Sequence, residues 1–463
     1  MQQDNKISDF CNIVCNQIRW KKTHKTVFGE IENHLIEQRD EYINSGYTEA
    51  DATDKAINDF GDATYIGTEL DRIHRPKNQL VCFIILGILS FVGILIQSII
   101  ILSGSISANI APQIVSYILG IAILTVTYFI DFTILSKYSF HFYVTVFFLS
   151  VILCIFPFYI SFKYYIALLY PLALSCSIYH FRTRGYFGIA INTLFTLTLL
   201  VFCHFTNNIL GIILCLFIAL IITPVSIYRK WFNIKRSIGL LLCLSPFILM
   251  IIVIFTIPST REGILSILGY VSTNDELGAG YIPNLLQEMT LNAKMIGQAN
   301  TLSSPFPDIF HTDYILAFIL YRYGWLAFGF MVALFYALII ICLNAAIKQK
   351  SVLGQLFTLS ITGVFTVQIT LYILSNLGIV NSTLSVLPFV SYGSFANLIN
   401  FAMLGILLSV FRNEEIMVDR VTKPLITRQK IDEIISKLSF EGMENEKNKI
   451  YTRINTILFN SNH

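Results

Sequence analysis

Residues 80–103 read LVCFIILGILSFVGILIQSIIILS and carry no charged side chain. An α-helix of about 20 apolar residues is long enough to cross the hydrocarbon core of a bilayer, so this stretch predicts a transmembrane helix. Polar sequence precedes it over residues 1–77. A cleavable signal peptide carries its apolar segment close to the amino terminus, so we expect this late segment to be retained as a span.

The whole chain shares this apolar character. Of its 463 residues, 55% are hydrophobic and 13% are charged, whereas about 25% of a soluble protein is charged. The charges concentrate at the two ends: residues 1–77 hold 10 Lys/Arg and 14 Asp/Glu, and residues 412–463 hold 9 and 8. We therefore expect an acidic head over 1–77, an integral membrane domain over 78–411 and a charged cytoplasmic tail over 412–463.

The membrane domain and the head both predict helices. Irregular backbone cannot satisfy its hydrogen bonds in lipid, so we expect an all-α polytopic protein with about ten transmembrane helices. The head spaces its apolar residues at helical intervals and is predicted to be a small cytoplasmic helical domain. The ten apolar stretches of the body have the approximate boundaries 80–103, 113–136, 141–161, 164–180, 187–204, 208–228, 237–257, 314–346 (interrupted near Arg322 and Gly324), 352–375 and 396–411.

The basic residues of the loops predict the orientation in the membrane. With ten spans and the amino terminus inside, the inner loops collect nine Lys/Arg and the outer loops collect three. Cytoplasmic loops carry the excess of positive charge in membrane proteins. We therefore expect both termini to be cytoplasmic and residues 258–313 to be outside.

The outer segment 258–313 is unusual in its length and its charge. Six of the seven acidic residues of the membrane domain lie in it, and the seventh is Asp131. Loops of this length are usually functional or disordered. The stretch NLLQEMTLNAKMIGQAN, residues 284–300, predicts an interfacial helix. No nucleotide-binding glycine loop, zincin motif or paired-carboxylate glycosidase signature is present in the sequence, and nothing indicates nucleic-acid binding.

Several stretches of this part of the chain resemble the SEDS family, the FtsW/RodA/SpoVE-type proteins of bacterial shape, division and sporulation. HTDYILAFILYRYGW, residues 311–325, is similar to the family's His-Thr-Asp-Phe-Ile-Phe run. NLGIVNSTLSVLPFVSYGS, residues 376–394, resembles the family's Asn-x-Gly and Leu-Pro-Phe-x-Ser-Tyr-Gly hallmark. GAGY and NAKMIGQA in the outer loop are weaker matches. The head, through residues 34–67, resembles a permease-prefix type of helical domain.

The resemblance implies a fold, an activity and partners. Members of the family are polytopic glycosyltransferases that polymerise lipid II, the undecaprenyl-pyrophosphate-linked precursor of peptidoglycan, into glycan strands. They act beside a class B penicillin-binding protein, which cross-links the strands. The resemblance also implies a location in the plasma membrane of a bacterial cell, and by it the catalytic carboxylate is Asp313.

Two roles are open for Asp313. Glycosyl transfer from a pyrophosphate donor needs a base for the acceptor hydroxyl. A free Asp, with a pKa of about 3.9, is a weak base, but burial at the membrane edge would raise that pKa. The alternative is that Asp313 caps the amino end of the eighth span, where the helix dipole favours a negative charge.

The neighbours of Asp313 also have two interpretations each. His311 either positions Asp313 and contacts the substrate or is a hydrogen-bonded structural residue, and Thr312 either contacts the substrate or belongs to the first turn of the helix. Lys294 and Arg261 are candidates to bind the pyrophosphate, or they lie at lipid headgroups. A divalent cation, Mg²⁺ or Mn²⁺, is expected to share the pyrophosphate.

Two charges fall within predicted spans, and a charge in a span is functional by default. Arg322 follows Asp313 by nine residues, about 900° along a helix, so the two are predicted to face opposite sides. Asp131 lies near the inner end of the second span, close to Lys137, and is an improbable partner for Arg322.

The stretch before the last span is predicted to form a second wall of the substrate cavity, or simply a turn between spans. Pro388 allows a tight turn there. Its candidate substrate-binding residues are Asn376, Ser391, Tyr392 and Gly393.

The sequence also departs from the family pattern. The family commonly carries two Glu where this chain has Tyr321 and Arg322, and the hallmark's second Gly is Ser394 here. Three functions therefore compete: a lipid II polymerase that depends on Asp313, a non-catalytic scaffold for a penicillin-binding protein, and a flippase for lipid-linked precursors.

Overall fold

The protein is described by a computed structural model, in which every regular element of the described residues is a helix. This confirms the all-α fold. The described residues are 2–21, 23–73, 79–102, 110–130, 132–155, 165–206, 208–258, 261–262, 265, 281–299, 312–349, 351–380, 386–392 and 394–412. The predicted tail over 412–463 lies outside them except for its first residue.

Four helices form the head: α1 (Gln2–Gln17), α2 (His24–Asn44), α3 (Glu49–Phe60) and α4 (Ala63–Ile73). Buried apolar residues of α1 and α2, among them Val14 and Leu35, form its core. The side chain of Thr48 accepts a hydrogen bond from the backbone N–H of Asp51 and donates one to the Asp51 carboxylate. This reciprocal pair starts α3 in the manner of a capping box.

Ten helices correspond to the ten predicted stretches. Eight segments of the described residues are long and apolar enough to cross a membrane; one of them, Ala167–Phe205, contains two helices, and a shorter apolar helix lies at Ser139–Leu153. The ten are α5 (Leu80–Leu102), α6 (Ala111–Phe129), α7 (Ser139–Ile155), α8 (Tyr170–Phe181), α9 (Gly185–Phe205), α10 (Ile209–Tyr228), α11 (Arg236–Thr256), α14 (Trp325–Lys348), α15 (Val352–Asn376) and α16 (Ser394–Arg412).

Two further helices lie between α11 and α14: α12 (Tyr281–Asn292) and α13 (Ile315–Tyr323). The predicted interfacial helix over 284–300 is therefore shorter at its carboxyl end and begins three residues earlier. Residues 293–299 follow α12 without regular structure.

The eighth predicted span, 314–346, is interrupted at Gly324, close to where the sequence predicts the interruption. Gly324, with a φ of +87°, separates the short helix α13 from the full-length α14. A residue at this φ is in the left-handed region, where a helix cannot continue and glycine is favoured. Arg322 consequently lies in α13, before the spanning helix and not within it.

Among the eight candidate spanning segments of the described residues, α15 and α16 are the most buried. α6 packs closely along α16, where a Cβ on Gly120 would lie 2.3 Å from the ring of Phe401, so this contact requires glycine. The short connection 349–351 joins α14 to α15, which pack against each other. The amino end of α14 and the carboxyl end of α15 therefore lie at the same end of the bundle, where α13 is also held.

Candidate active site around Asp313

The site is built on α13, a short helix enclosed by protein. Its residues Ile315–Tyr321 are all buried. A helix that is apolar on every face must be covered on every face. α12 covers part of it, since Leu285, Leu286 and Met289 of α12 are buried in the same core.

Backbone contacts fix the carboxyl end of α13 and the start of α14. Gly297 and Ala299 donate their N–H groups to the carbonyls of Tyr323 and Tyr321, at 3.1 and 2.9 Å. In the other direction, the N–H of Trp325 donates to the Lys294 carbonyl at 3.0 Å. The first N–H groups of a helix have no partner within it, so the segment 293–299 serves as a cap for α14.

Two side chains of α15 cap the amino end of α13. The N–H of Ile315 donates to the Tyr372 hydroxyl at 3.0 Å, and the N–H of Ala317 donates to the Asn376 side-chain oxygen at 2.9 Å. The Asn376 amide nitrogen donates to the Asp313 carbonyl at 3.1 Å. Tyr372 and Asn376 are one helical turn apart, so they lie on one face of α15. That face holds the chain on both sides of Asp313.

The interpretation of Asp313 as a helix cap is wrong in this structure. The N-cap position of α13 is Tyr314, and no side chain of that position caps the helix. Two of the first N–H groups of α13, those of Ile315 and Ala317, already donate to side chains of α15, and the hydrogen bond that affects the pKa of Asp313 comes from the Thr312 side chain. The Asp313 carboxylate therefore has no capping role.

Burial controls the acidity of Asp313. Partial burial raises the pKa of its carboxyl from 3.8 to about 6, and a hydrogen bond from the Thr312 side chain acts weakly in the opposite direction. No cation of the described residues contributes to this pKa. The hydroxyls of Tyr165, Tyr314 and Tyr372 are within electrostatic range of the carboxylate. Asp313 is thus a stronger base than a free Asp, and it is mostly ionised at neutral pH.

The loop 386–392, between α15 and α16, also contacts the Tyr372 hydroxyl. The Ser391 hydroxyl donates to the Tyr372 hydroxyl at 3.3 Å and accepts from the Leu387 N–H at 3.0 Å. Tyr372 in turn donates to the Thr312 carbonyl at 3.2 Å. One tyrosine hydroxyl therefore joins the Asp313 segment to the Ser391 loop. Of the residues predicted from the sequence, Asn376 bonds to the backbone of this segment directly, and Ser391 is linked to it through the Tyr372 hydroxyl.

The loop 386–392 has an unusual backbone. Phe389, and not a glycine, takes the left-handed conformation, with a φ of +64°. Such a conformation costs a non-glycine residue on the order of 1–3 kcal/mol and persists only where its surroundings enforce it. Here the Phe389 N–H donates to Asn397 and its carbonyl accepts from the Tyr117 hydroxyl at 2.7 Å. Gln113 of α6 also donates to the Ser391 carbonyl.

Four of the residues that hold the Asp313 segment and the loop 386–392 were not predicted from the sequence: Tyr372, Tyr117, Gln113 and Asn397. Each is buried in an apolar helix, where a tyrosine or an amide reads as ordinary core. The one available signal was the spacing of Tyr372, four residues before Asn376.

Other predicted residues do not meet Asp313 in the described structure. The side chains of Lys294 and Arg261 are exposed and do not affect its pKa. Arg322 is exposed and donates a hydrogen bond to the Gln298 side chain. Tyr392 is half-buried next to Ser391. Three predicted residues, His311, Gly393 and Asp131, lie outside the described residues.

The described residues contain no group of three His, Cys, Asp or Glu side chains that could hold a metal ion. The candidate site offers one described carboxylate, that of Asp313. Mg²⁺ is commonly bound by one or two carboxylates together with substrate phosphates. The residues present therefore fit a cation that arrives with a phosphorylated substrate, and they do not form a cage of their own.

Comparison with known proteins supports the predicted resemblance. Residues 294–416 match the FtsW/RodA/SpoVE family model, which is described as cell cycle protein. This range contains α13–α16 and Asp313, and the resemblance to the SEDS family is confirmed. The permease-prefix resemblance of the head stays a prediction.

The solved structures that are similar to the chain include the following two. One is a chain of "Structural coordination of polymerization and crosslinking by a peptidoglycan synthase complex", with a TM-score of 0.56 and 18% identity over 72% of this chain and 97% of that chain. The other is a mutant form of the Thermus thermophilus rod shape determining protein RodA, with a TM-score of 0.47 and 16% identity over the same shares. No curated protein sequence matches the chain significantly.

Proposed function

We propose that the protein acts in peptidoglycan synthesis, as a glycosyltransferase that polymerises lipid II, since its residues 294–416 match the FtsW/RodA/SpoVE family model. One observation carries the proposal. Asp313 is held at the start of a buried helix, is relieved of capping by Tyr372 and Asn376, and has a pKa raised to about 6 by burial. A structural carboxylate would not need this arrangement, whereas a general base does.

Asp313 is the proposed base. Its carboxylate takes the proton of the acceptor sugar hydroxyl, the oxygen attacks the anomeric carbon of the donor, and the lipid pyrophosphate leaves. Asn376 and Tyr372 hold the backbone of residues 312–317 and so set the place of the carboxylate. Ser391 and Tyr392, with His311 and Gly393, are proposed to line the sugar-binding side.

The leaving pyrophosphate needs positive charge. The proposed sources are Mg²⁺ or Mn²⁺ bound to the substrate and the exposed cations Lys294 and Arg261, which belong to the same outer segment as Asp313. A metal ion at this place would neutralise charge on the pyrophosphate oxygens. Both termini are proposed to be cytoplasmic, so the site faces the outer side, where the glycan strands grow.

A class B penicillin-binding protein is the proposed partner. The fold is similar to a chain of a peptidoglycan synthase complex that coordinates polymerization and crosslinking. By analogy, we propose that this protein also forms a complex with a penicillin-binding protein that cross-links the glycan.

A non-catalytic scaffold is the second candidate. Arg322 stands where the family commonly has Glu, and it is exposed and bonded to Gln298. This replaces a negative charge by a positive one shortly before the start of α14. A scaffold would keep its partner bound after loss of the Asp313 carboxylate, and it would make no glycan.

The test is glycan formation from labelled lipid II by purified full-length protein together with its penicillin-binding partner. Wild type, Asp313→Asn and Glu262→Gln are compared, since the last makes the same chemical change at an exposed carboxylate of the outer segment. Glycan from wild type and Glu262→Gln but not from Asp313→Asn supports the polymerase. Glycan from all three excludes Asp313 as the base, and glycan from none, with folded protein and bound partner, supports the scaffold.

A further inference from the structure

Two positively charged loops lie at the end of the bundle opposite Asp313. Arg182–Arg184 joins α8 to α9, and residues 229–235 join α10 to α11. Leu356, near the amino end of α15, is buried in one core cluster with Ile227 and Phe232, whereas Asn376, at the carboxyl end of α15, bonds to the Asp313 carbonyl. The two loops therefore belong to the end that the basic residues predict to be cytoplasmic.

The two loops contact each other. The N–H of Lys235 donates to the Tyr186 hydroxyl at 3.0 Å. Gly185 faces the Asn233 carbonyl, 3.6 Å from the place of a Cβ, and Gly188 packs against the buried ring of Phe232. These contacts bring six cationic side chains onto one surface, which we call the basic patch: Arg182, Arg184, Arg229, Lys230, Lys235 and Arg236.

Aromatic rings hold three of these arginines. The guanidinium of Arg182 lies 3.8 Å from the centre of the Tyr179 ring, Arg184 lies over Phe181, and Arg236 lies over Tyr228, the last two at 5.1 Å. Arg182 also donates one N–H to the Tyr179 carbonyl at 2.8 Å; a guanidinium held over a ring can still offer its other N–H groups to a phosphate, whose geometry they match. The arginines are thus ordered before any ligand arrives.

The basic patch is not neutralised within the described part of the membrane domain. The described carboxylates of that domain are Glu262, Glu288 and Asp313, which all follow α11 and lie towards the opposite end. Lys230 also takes a left-handed backbone conformation, with a φ of +58°. Asn or Gly would fit that backbone more easily, so the lysine is present at a local conformational cost.

Apolar surface lies next to the patch. Phe187 of α9 and Leu241 of α11 are 61% and 67% exposed, within two turns of the cations. Tyr228, at the end of α10, is 72% exposed. A ligand that satisfies both surfaces must have an anionic head and a hydrocarbon body. A free phosphate would leave the apolar side chains uncovered.

We propose that the basic patch binds an anionic phospholipid. The phosphate accepts hydrogen bonds from the stacked arginines, and the acyl chains lie along α9 and α11. The site is separate from Asp313, and it does not depend on the proposed glycosyl transfer.

Native mass spectrometry of the full-length protein in detergent tests this, by counting bound phosphatidylglycerol and phosphatidylcholine during titration. The test variant is Arg184→Gln/Lys230→Gln. The matched control is Lys137→Gln/Lys348→Gln, which removes two exposed cations at the same end of the bundle but outside the patch. Each cation near an anionic lipid contributes roughly a five-fold gain in affinity, so we expect the test variant to bind phosphatidylglycerol about 30-fold more weakly.

The control variant is expected to keep wild-type affinity, and phosphatidylcholine is expected to bind weakly to every form. Equal weakening in both double variants would overturn the proposal, because it would show a general effect of positive charge and no defined site. Displacement of the lipid by inorganic phosphate would overturn the assignment to a lipid. If the test variant does not fold, Arg184→Lys/Lys230→Arg takes its place: a retained preference for phosphatidylglycerol over phosphatidylcholine supports the charge-based site, and equal affinity for the two lipids overturns it.

Discussion

Asp313 is available for chemistry because other residues do the structural work at the start of α13. The Ile315 and Ala317 N–H groups are capped by Tyr372 and Asn376, at 3.0 and 2.9 Å. The carboxylate remains partly buried, and its pKa is raised to about 6. A raised carboxyl pKa means that the folded protein binds the proton more tightly than the unfolded chain does.

That binding has a consequence for stability. The folded state is favoured most when Asp313 is protonated, below its ordinary pKa of 3.8, and this contribution is lost as pH rises through about 6. We therefore expect Asp313→Asn to stabilise the protein at neutral pH by on the order of 1–3 kcal/mol. Near the ordinary pKa the variant and wild type should be equally stable. Thermal unfolding in detergent at both pH values measures this, and equal stability at neutral pH would contradict the buried carboxylate.

Tyr372 is expected to matter for activity as well as for stability. Tyr372→Phe removes the hydroxyl that contacts Ile315, Thr312 and Ser391. Leaving a buried N–H without its partner costs about 1–3 kcal/mol, and the Asp313 segment is then free to shift. We predict a lower melting temperature together with a loss of glycan synthesis of at least roughly tenfold, since small displacements of a catalytic group have large effects on rate.

Tyr143→Phe is the matched control for Tyr372. Tyr143 is also buried, and its hydroxyl bonds to the Phe195 carbonyl and the Thr198 hydroxyl. We expect this variant to lose stability and to keep its activity per folded molecule. Equal activity losses in the two variants would mean that Tyr372 acts only on stability.

The sequence identified some of these residues but not the hydrogen bonds between them. Asp313, Asn376 and Ser391 stand in stretches that resemble family motifs. Tyr372 was missed because a tyrosine in an apolar span reads as core. Which backbone group a buried side chain bonds to depends on how α13 and α15 pack, and a single sequence does not contain that information.

At the scale of elements, the break between α13 and α14 gives the site its shape. Residues 314–346 form one apolar stretch, which the sequence predicts to be interrupted near Arg322 and Gly324. The structure ends α13 at Tyr323, because Gly324 takes a φ of +87° and the carbonyls of Lys294 and Met295 occupy the space beside it. These carbonyls come from a segment distant in the sequence, which explains why local patterns did not reveal the cap.

Gly324→Ala tests this junction. A Cβ there would lie 2.5 Å from the Lys294 carbonyl oxygen and 2.8 Å from that of Met295, so the backbone must move. We expect a loss of about 2 kcal/mol or more, from the left-handed φ and the contact together. Gly329→Ala, in α14 with no atom within 4 Å of its Cβ, is expected to be neutral or stabilising. Similar melting temperatures for the two variants would contradict the junction as described.

At the scale of the whole molecule, charge and hydropathy were sufficient to predict which parts of the membrane domain are helical. All ten predicted stretches contain a described helix, because a segment in lipid must make its backbone hydrogen bonds internally and a helix does so. The order in which the helices pack was not predictable. The close pairing of α6 with α16 depends on small residues such as Gly120. A glycine in an apolar span does not indicate which other helix packs against it.

The orientation stays a prediction that labelling can check. Met295 and Lys230 are exposed at opposite ends of the bundle, and the eight cysteines whose side chains the structure describes are all buried. We expect Met295→Cys to react with a membrane-impermeant maleimide in intact cells. Lys230→Cys should react only after the membrane is opened. The reverse pattern would place Asp313 on the cytoplasmic side and remove the proposed access to growing glycan.

The dependence of the glycan polymerisation rate on pH is the measurement that tests the central claim most directly. A base must be ionised, so the rate of the wild-type protein with its partner should rise with pH, with a midpoint at about 6 in the acid limb. Asp313→Asn should show no such limb and no glycan above background. A rate that is flat across this range, or a limb retained in Asp313→Asn, would show that another group accepts the proton.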